Sequence, residues 1–263
     1  MNPLGVRTMI AMAFPGAGIP PSTRDAGAAE IKVICTPALA PAYRELIPEF
    51  ERATGHKVVI DYGTAGAIRE RIQGGEAADL AISTEPVIDD LQEQGWIVPA
   101  SRIEVARVGL GVQVRKAALK PDIRSADAFR NALVAAASIG YIDPASGGAA
   151  GVHVAAVIER LGIAAAMTPK TRLVGGSALL EAVASGEVEI GIAPISEIVS
   201  HPGVELAGPL PAELQDVTPL TASLVRNGGQ LEAAGALLRF LTAPAAIDVI
   251  RAKGMEPGTR REQ

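Results

Sequence analysis

The stretch Tyr141-Ile-Asp-Pro-Ala-Ser-Gly-Gly-Ala-Ala-Gly-Val-His-Val-Ala-Ala-Val157 decides how this chain folds. A short apolar run, Ser138 to Ile142, stops at Asp143-Pro144, small residues follow, and a helical pattern then begins. Strand, small-residue loop and helix N-terminus together make the repeating unit of an α/β fold. The same unit suits an anion. The first N–H groups of a helix have no partner inside it, and the positive end of the macrodipole lies there. An ordinary tight turn has the same sequence, so one such loop does not separate structure from function.

The chain repeats the device. Thr36-Pro37-Ala38 follows the apolar run Ile31–Cys35, and Gly63–Gly66 follows Lys57–Tyr62. Gly175–Ser177 follows Thr171–Val174, and Ala193–Ser196 follows Glu187–Ile192. Ligands of open α/β sheets bind beyond the carboxyl ends of the strands. The loops therefore predict one shared site for an oxyanion or carboxylate, held mainly by backbone donors. The candidate contacts are Thr36, Ala38, Thr64, Ala65, Gly66, Ser146, Gly147, Gly148, Gly176, Ser177 and Pro194. Tyr62 and Tyr141 end strands aimed at the same side, where each either donates a phenol or simply packs. His153 and Glu197 stand close to these loops. A packed histidine and a surface carboxylate are the plainer readings, and a base is the other.

Ile103–Arg115 is one long extended stretch containing Gly109 and Gly111, whose backbones permit a bend. Asp216–Val225 reads as a strand that brings the chain back. Two α/β lobes are expected, residues 31–108 plus 222–256 and residues 109–221, with a cleft between them. Residues 1–30 read as a signal-like or disordered segment. Arg7 and the small residues at 26–30 suit a secretory signal, whereas the apolar run Met9–Phe14 is short and ends at Pro15. Residues 257–263 read as a polar, frayed tail. Pro48 lies inside the helical pattern Leu39–Thr54 and is expected to kink or split it.

Composition narrows the function. A net charge of -5 and the lack of a basic stripe argue against nucleic acid as a partner. Cys35 is the only cysteine, which rules out an intrachain disulfide and a cysteine metal site, and its place at the end of an apolar run predicts a core residue. His56, His153 and His201 are far apart, and neither a metal nor a cofactor is expected. No Walker A sequence, Gly-x-Ser-x-Gly elbow or His-Glu-x-x-His motif occurs. No apolar run approaches the roughly 18 residues of a membrane-spanning helix.

Ile31–Leu39, Pro48-Glu-Phe-Glu-Arg-Ala-Thr-Gly-His56, Gly74-Gly-Glu-Ala-Ala-Asp-Leu-Ala-Ile-Ser83 and Asp143–Gly151 share a further property. Together they resemble the periplasmic molybdate-binding proteins of ABC importers, over about residues 31–256. The resemblance implies a two-lobed type II periplasmic-binding-protein fold with a central cleft and a two-segment hinge. It also implies a monomer in the periplasm, closing on a small anion, with an ABC permease as partner. That family holds its oxyanion with a serine after the first strand, a serine after the second strand and a late tyrosine. Ala38, Ala65 (or its neighbour Thr64) and Pro194 stand at those places. Each missing hydroxyl would leave a buried oxyanion oxygen under-paired, at about 1–3 kcal/mol.

The similar aconitate isomerases imply another use of this frame, the movement of a proton and a double bond in an unsaturated tricarboxylate. Two functions are therefore carried forward. One is capture of a molybdate-like oxyanion or a di- or tricarboxylate for an importer. The alternative is isomerisation between trans- and cis-aconitate. A cytoplasmic sensor domain is a third, if the N-terminus is not a signal.

Overall fold

A computed structural model describes residues 27–175 and 178–258. The first lobe begins with β1 (Glu30–Cys35), α1 (Ala40–Thr54), β2 (Lys57–Tyr62), α2 (Ala65–Gln73), β3 (Leu80–Thr84), α3 (Glu85–Glu93) and β4 (Ile103–Val108). The second lobe follows, from β5 (Leu110–Arg115) through α4 (Ala126–Ala135), β6 (Ile139–Ile142), α5 (Ala149–Arg160) and α6 (Ala164–Met167). It continues with β7 (Thr171–Val174), α7 (Ala178–Ser185), β8 (Ile190–Pro194), α8 (Ile195–Ile198) and β9 (Val204–Pro209). The chain returns to the first lobe in β10 (Thr218–Leu224), α9 (Leu231–Leu241), α10 (Pro244–Ala252) and β11 (Glu256–Pro257).

Each lobe is built on one sheet. The first has the order β11-β4-β10-β3-β1-β2 and the second β7-β6-β8-β5-β9. β1, β2 and β3 run parallel, as do β6, β7 and β8, because a helix crosses between successive strands. Their buried positions are almost all aliphatic, as a sheet covered on both faces requires. In the first lobe Val33, Leu80, Leu46, Phe50 and Leu237 pack on one face, while Ile34, Ala81, Ile68 and Leu91 pack on the other. Cys35 is in the first of these clusters. In the second lobe α4 and α5 cover one face through Phe129, Leu133, Val154 and Val157. The other face is closed by Leu179, Val183 and Ile198.

The long extended stretch is two strands in two different sheets, divided at Gly109. The Gln215 side chain clamps this crossing. It accepts from Leu110 N and donates to Leu110 O, both at 2.8 Å. A Cβ on Gly109 would lie 3.3 Å from that side chain, so the bend and the clamp fit only a glycine without adjustment. On the return, Thr218 pairs with Val108, so the first sheet takes up the chain ahead of residue 222.

Two local expectations need correction. Pro257 is not part of a frayed tail. It pairs with Ala106, and Gly258 N donates to Val105 O at 3.3 Å, so the edge of the first sheet holds the chain to that point. Pro48 does not split its helix: α1 runs from Ala40 to Thr54. Pro48 and Arg44 are both exposed, so the Arg44 carbonyl that loses its helical partner faces water. Most of the signal-like segment (residues 1–26), the end of the tail (259–263) and the candidates Gly176 and Ser177 lie outside the described residues.

Candidate functional site

A cavity lies between the lobes, at the carboxyl ends of the parallel strands. The first lobe lines it with Thr36, Pro37 and Ala38 after β1, Thr64 and Ala65 at the start of α2, and Thr84 at the end of β3. The second lobe supplies Ile142 at the end of β6, Gly148, Ala149 and Ala150 at the start of α5, Pro194 at the end of β8 and Glu197 in α8. The hinge strands close it with Val108, Leu110, Thr218 and Leu220. A separate cavity of about 380 Å³ lies at the hinge, between Arg107, Gly109, the 209–217 crossing and Glu256. The strand ends converge on the interlobe cavity and not on that one, which makes the interlobe cavity the candidate site.

Among the described residues, three helices of full length begin at this cavity: α2, α3 and α5. Their caps differ. Thr64 caps α2, its side chain accepting from Ala67 N at 3.2 Å. The Thr84 side chain makes no cap bond, and the cap residue of α5 is Gly148, which has no side chain to offer. The first N–H groups of α5 are thus left for another acceptor. The hydroxyls of Thr36 and Thr84 also have no hydrogen-bond partner among the described residues. Apart from Thr218 and Glu197, the remaining walls are aliphatic or backbone.

Among the described residues, one ionisable side chain lines the cavity. Glu197 sits in the first turn of α8, partly buried, with no hydrogen bond or ion pair to its carboxyl among the described residues. Burial alone pushes that carboxyl up to about 7, because the charged form loses its water and gains no counter-charge.

The lobes meet on either side of the cavity. On one side Gly66 N donates to Gly147 O at 3.2 Å, and the Thr64 hydroxyl donates to Ser146 O at 2.6 Å. The backbones there approach so closely that a Cβ on Gly66 would lie 3.2 Å from Gly147 Cα. On the other side the buried Ser196 hydroxyl donates to Ala38 O at 2.8 Å.

The structure sorts the expected contacts accordingly. Thr36, Ala38, Thr64, Ala65, Gly148 and Pro194 come together around the cavity. Gly66, Ser146 and Gly147 form the lobe contact instead, and Ser146 turns its hydroxyl back to donate to Asp143 O at 2.7 Å. Tyr141 packs inside the second lobe and Tyr62 is exposed; neither lines the cavity. His153 donates from Nε2 to Leu214 O at 2.8 Å and stands away from the site.

Thr84, Thr218 and the prominence of Glu197 were not foreseen. Thr84 carries the same sequence signal as the other loops, a small polar residue between strand and helix. Thr218 carries none, since only the antiparallel return of β10 brings it to the hinge.

Two α/β lobes, a doubly crossed hinge and a cavity between the lobes at the strand ends define a type II periplasmic-binding-protein fold. The chain belongs to the bacterial extracellular solute-binding proteins, whose family model matches residues 31–256. It is 30% identical to a protein named aconitate isomerase from a Pseudomonas species, over 86% of this chain and 87% of that one. It is 28% identical to the molybdate-binding protein ModA of Azotobacter vinelandii, over 87% and 90% of the two chains. Among solved structures, an Azotobacter vinelandii periplasmic molybdate-binding protein superposes with a TM-score of 0.73 at 21% identity, covering 86% of this chain and 98% of that one. The Mycobacterium tuberculosis sulfate-binding protein SubI gives 0.70 at 18%, covering 87% of each. These two likenesses speak for the fold alone.

Proposed function

We propose that this protein captures a small organic carboxylate between its lobes, as the binding component of a periplasmic importer with an ABC permease as partner. One observation carries the reading. The walls at Ala38, Ala65 and Pro194 offer no side-chain donor, and Val108, Leu110, Ile142 and Leu220 extend the apolar lining. A tetrahedral oxyanion exposes oxygen on every side and would find few partners among these walls. A carbon skeleton bearing carboxylates would bury its apolar part against them. Its charged ends would meet the α5 N-terminus and the free hydroxyls of Thr36 and Thr84. Differential affinity of the closed form is the mechanism: contacts from both lobes exist together only when the cleft is shut.

The test is a thermal-shift and calorimetric panel of molybdate, sulfate, citrate, cis- and trans-aconitate, and succinate. Carboxylates are expected to raise Tm through linkage, and the inorganic anions to leave it unchanged. A shift by molybdate alone would refute the reading.

A second reading is favoured by the relative named aconitate isomerase, at 30% identity over most of both chains. In that case the captured carboxylate is a substrate, trans- or cis-aconitate, and its proton and double bond are moved. Conversion of trans-aconitate followed by proton NMR tests this directly.

A further inference from the structure

We propose that Glu197 is the proton-transfer group of the cleft, removing a proton from a carbon of a bound unsaturated polycarboxylate and returning it two carbons away. The proposal rests on the second reading above and assigns its chemistry to one side chain.

Placement comes first. Among the described residues lining the cavity, Glu197 alone carries an ionisable group. Its neighbours there are threonines, alanines and aliphatic residues, and no charged side chain perturbs it. A carboxyl held for structure would have a partner, because leaving a buried acid unpaired is costly. This one has none among the described residues. Ionised, this carboxyl repels an anionic ligand; protonated, it can donate a hydrogen bond to one. Its placement fits a group that must alternate between acid and base. A carboxyl lifted to about 7 by burial is available in both forms near neutrality.

Closure positions it. Ser196, the preceding residue, donates its buried hydroxyl across the cleft to Ala38 O at 2.8 Å. This bond exists only when the lobes are together, and it fixes the turn that carries Glu197 against the first-lobe wall. The alternatives are otherwise occupied or too weak. His153 donates to the Leu214 carbonyl outside the cavity, and a neutral threonine hydroxyl is not a useful base at pH 7.

The step balances without a co-reactant. The Glu197 carboxylate takes the proton from the saturated carbon, and the C–H electron pair becomes the new C=C bond. The former π pair moves to the far allylic carbon, which recovers the proton from the Glu197 acid. Negative charge that develops at the two ends of the allyl unit and spreads onto the carboxylates they carry is met by the uncapped N–H groups of α5 and by the Thr36 and Thr84 hydroxyls.

The experiment incubates the full chain with trans-aconitate in heavy water and follows conversion and C–D formation by NMR, with thermal shift in parallel. Wild type, Glu197→Gln and Glu197→Asp are compared, and unliganded melting curves establish that each variant is folded. Wild type is expected to convert the probe. Glu197→Gln should keep the thermal shift and lose about 10²–10⁴-fold in rate, as removal of a general base does. Glu197→Asp should retain part of the rate. Conversion by Glu197→Gln at the wild-type rate would overturn the assignment and leave the second reading standing. A wild-type thermal shift without conversion or deuterium uptake would overturn both and leave capture intact. No shift and no conversion would overturn the assignment as well as trans-aconitate as a ligand.

Discussion

The two places where the lobes touch are built from opposite materials. At Gly66–Gly147 the contact is backbone against backbone, only partly buried, and possible because neither residue has a side chain. At Ser196–Ala38 it is a single side-chain hydrogen bond, fully buried, beside the Glu197 carboxyl, which has no partner among the described residues. The first contact sets how far the lobes may approach. The second joins closure to the chemistry of the cavity, because it holds the turn on which Glu197 sits. Steric fit governs one side of the cleft and polar complementarity the other.

The comparison fails most visibly if Glu197 is an ordinary surface acid. A carboxyl whose folded pKa is raised releases its proton in the unfolded chain first. Its contribution is neutral below 4.5 and becomes a growing penalty as pH rises from there through about 7. The penalty reaches at most about 3 kcal/mol, at 1.36 kcal/mol for each pH unit. Glu197→Gln should therefore raise Tm at pH 8 and leave it nearly unchanged at pH 4, as calorimetry at the two pH values would show. Equal shifts at both would place the carboxyl in water.

Gly66→Ala probes the other contact. Alanine favours helix α2 by about 1 kcal/mol, while the new methyl costs about 1–3 kcal/mol in the closed state. Unliganded Tm should hold or rise, and affinity for the tightest carboxylate of the panel should fall about tenfold or more by isothermal calorimetry. Ser196→Ala removes the buried bond and leaves Ala38 O unpaired only when the cleft is closed. The expected loss is about 1.5 kcal/mol of binding free energy with little change in unliganded stability. Thr64→Ala should do least. It removes an exposed cross-lobe bond and the cap of α2, costing about 1 kcal/mol in unfolding experiments. An effect of Thr64→Ala on affinity larger than that of Ser196→Ala would reverse the proposed order of the two contacts.

Most of the frame was legible before any coordinates. Period and punctuation locate the strands at Lys57–Tyr62 and Thr171–Val174 because aliphatic runs there end at small residues. The site was legible only in part. Ala38, Ala65 and Pro194 were placed at the ligand by the resemblance, and all three line the cavity. Ser146, one of the candidate contacts, serves the lobe junction instead. Gly148 and Ala149, its near neighbours, form the wall. A loop's sequence states that its backbone is approachable, and the partner's position decides what approaches it. Glu197 was legible as a residue and not as a buried one, since a short helix after a strand end looks solvated until the opposite lobe covers it.

Alternating strands and helices, small residues at the strand ends, a crossing with glycines and the absence of cysteine pairs or metal motifs are local properties. The sequence by itself determined them, and through them a two-lobed α/β fold with an anion-suited cleft. What only the tertiary structure decided is which groups share that cleft. Thr36, Thr84, Glu197 and Thr218 come from segments far apart in the chain, and burial is a property of what surrounds a residue. The same carboxyl is an ordinary acid in the sequence and a group poised near neutrality once Ala38, Pro194 and Leu220 enclose the space it faces.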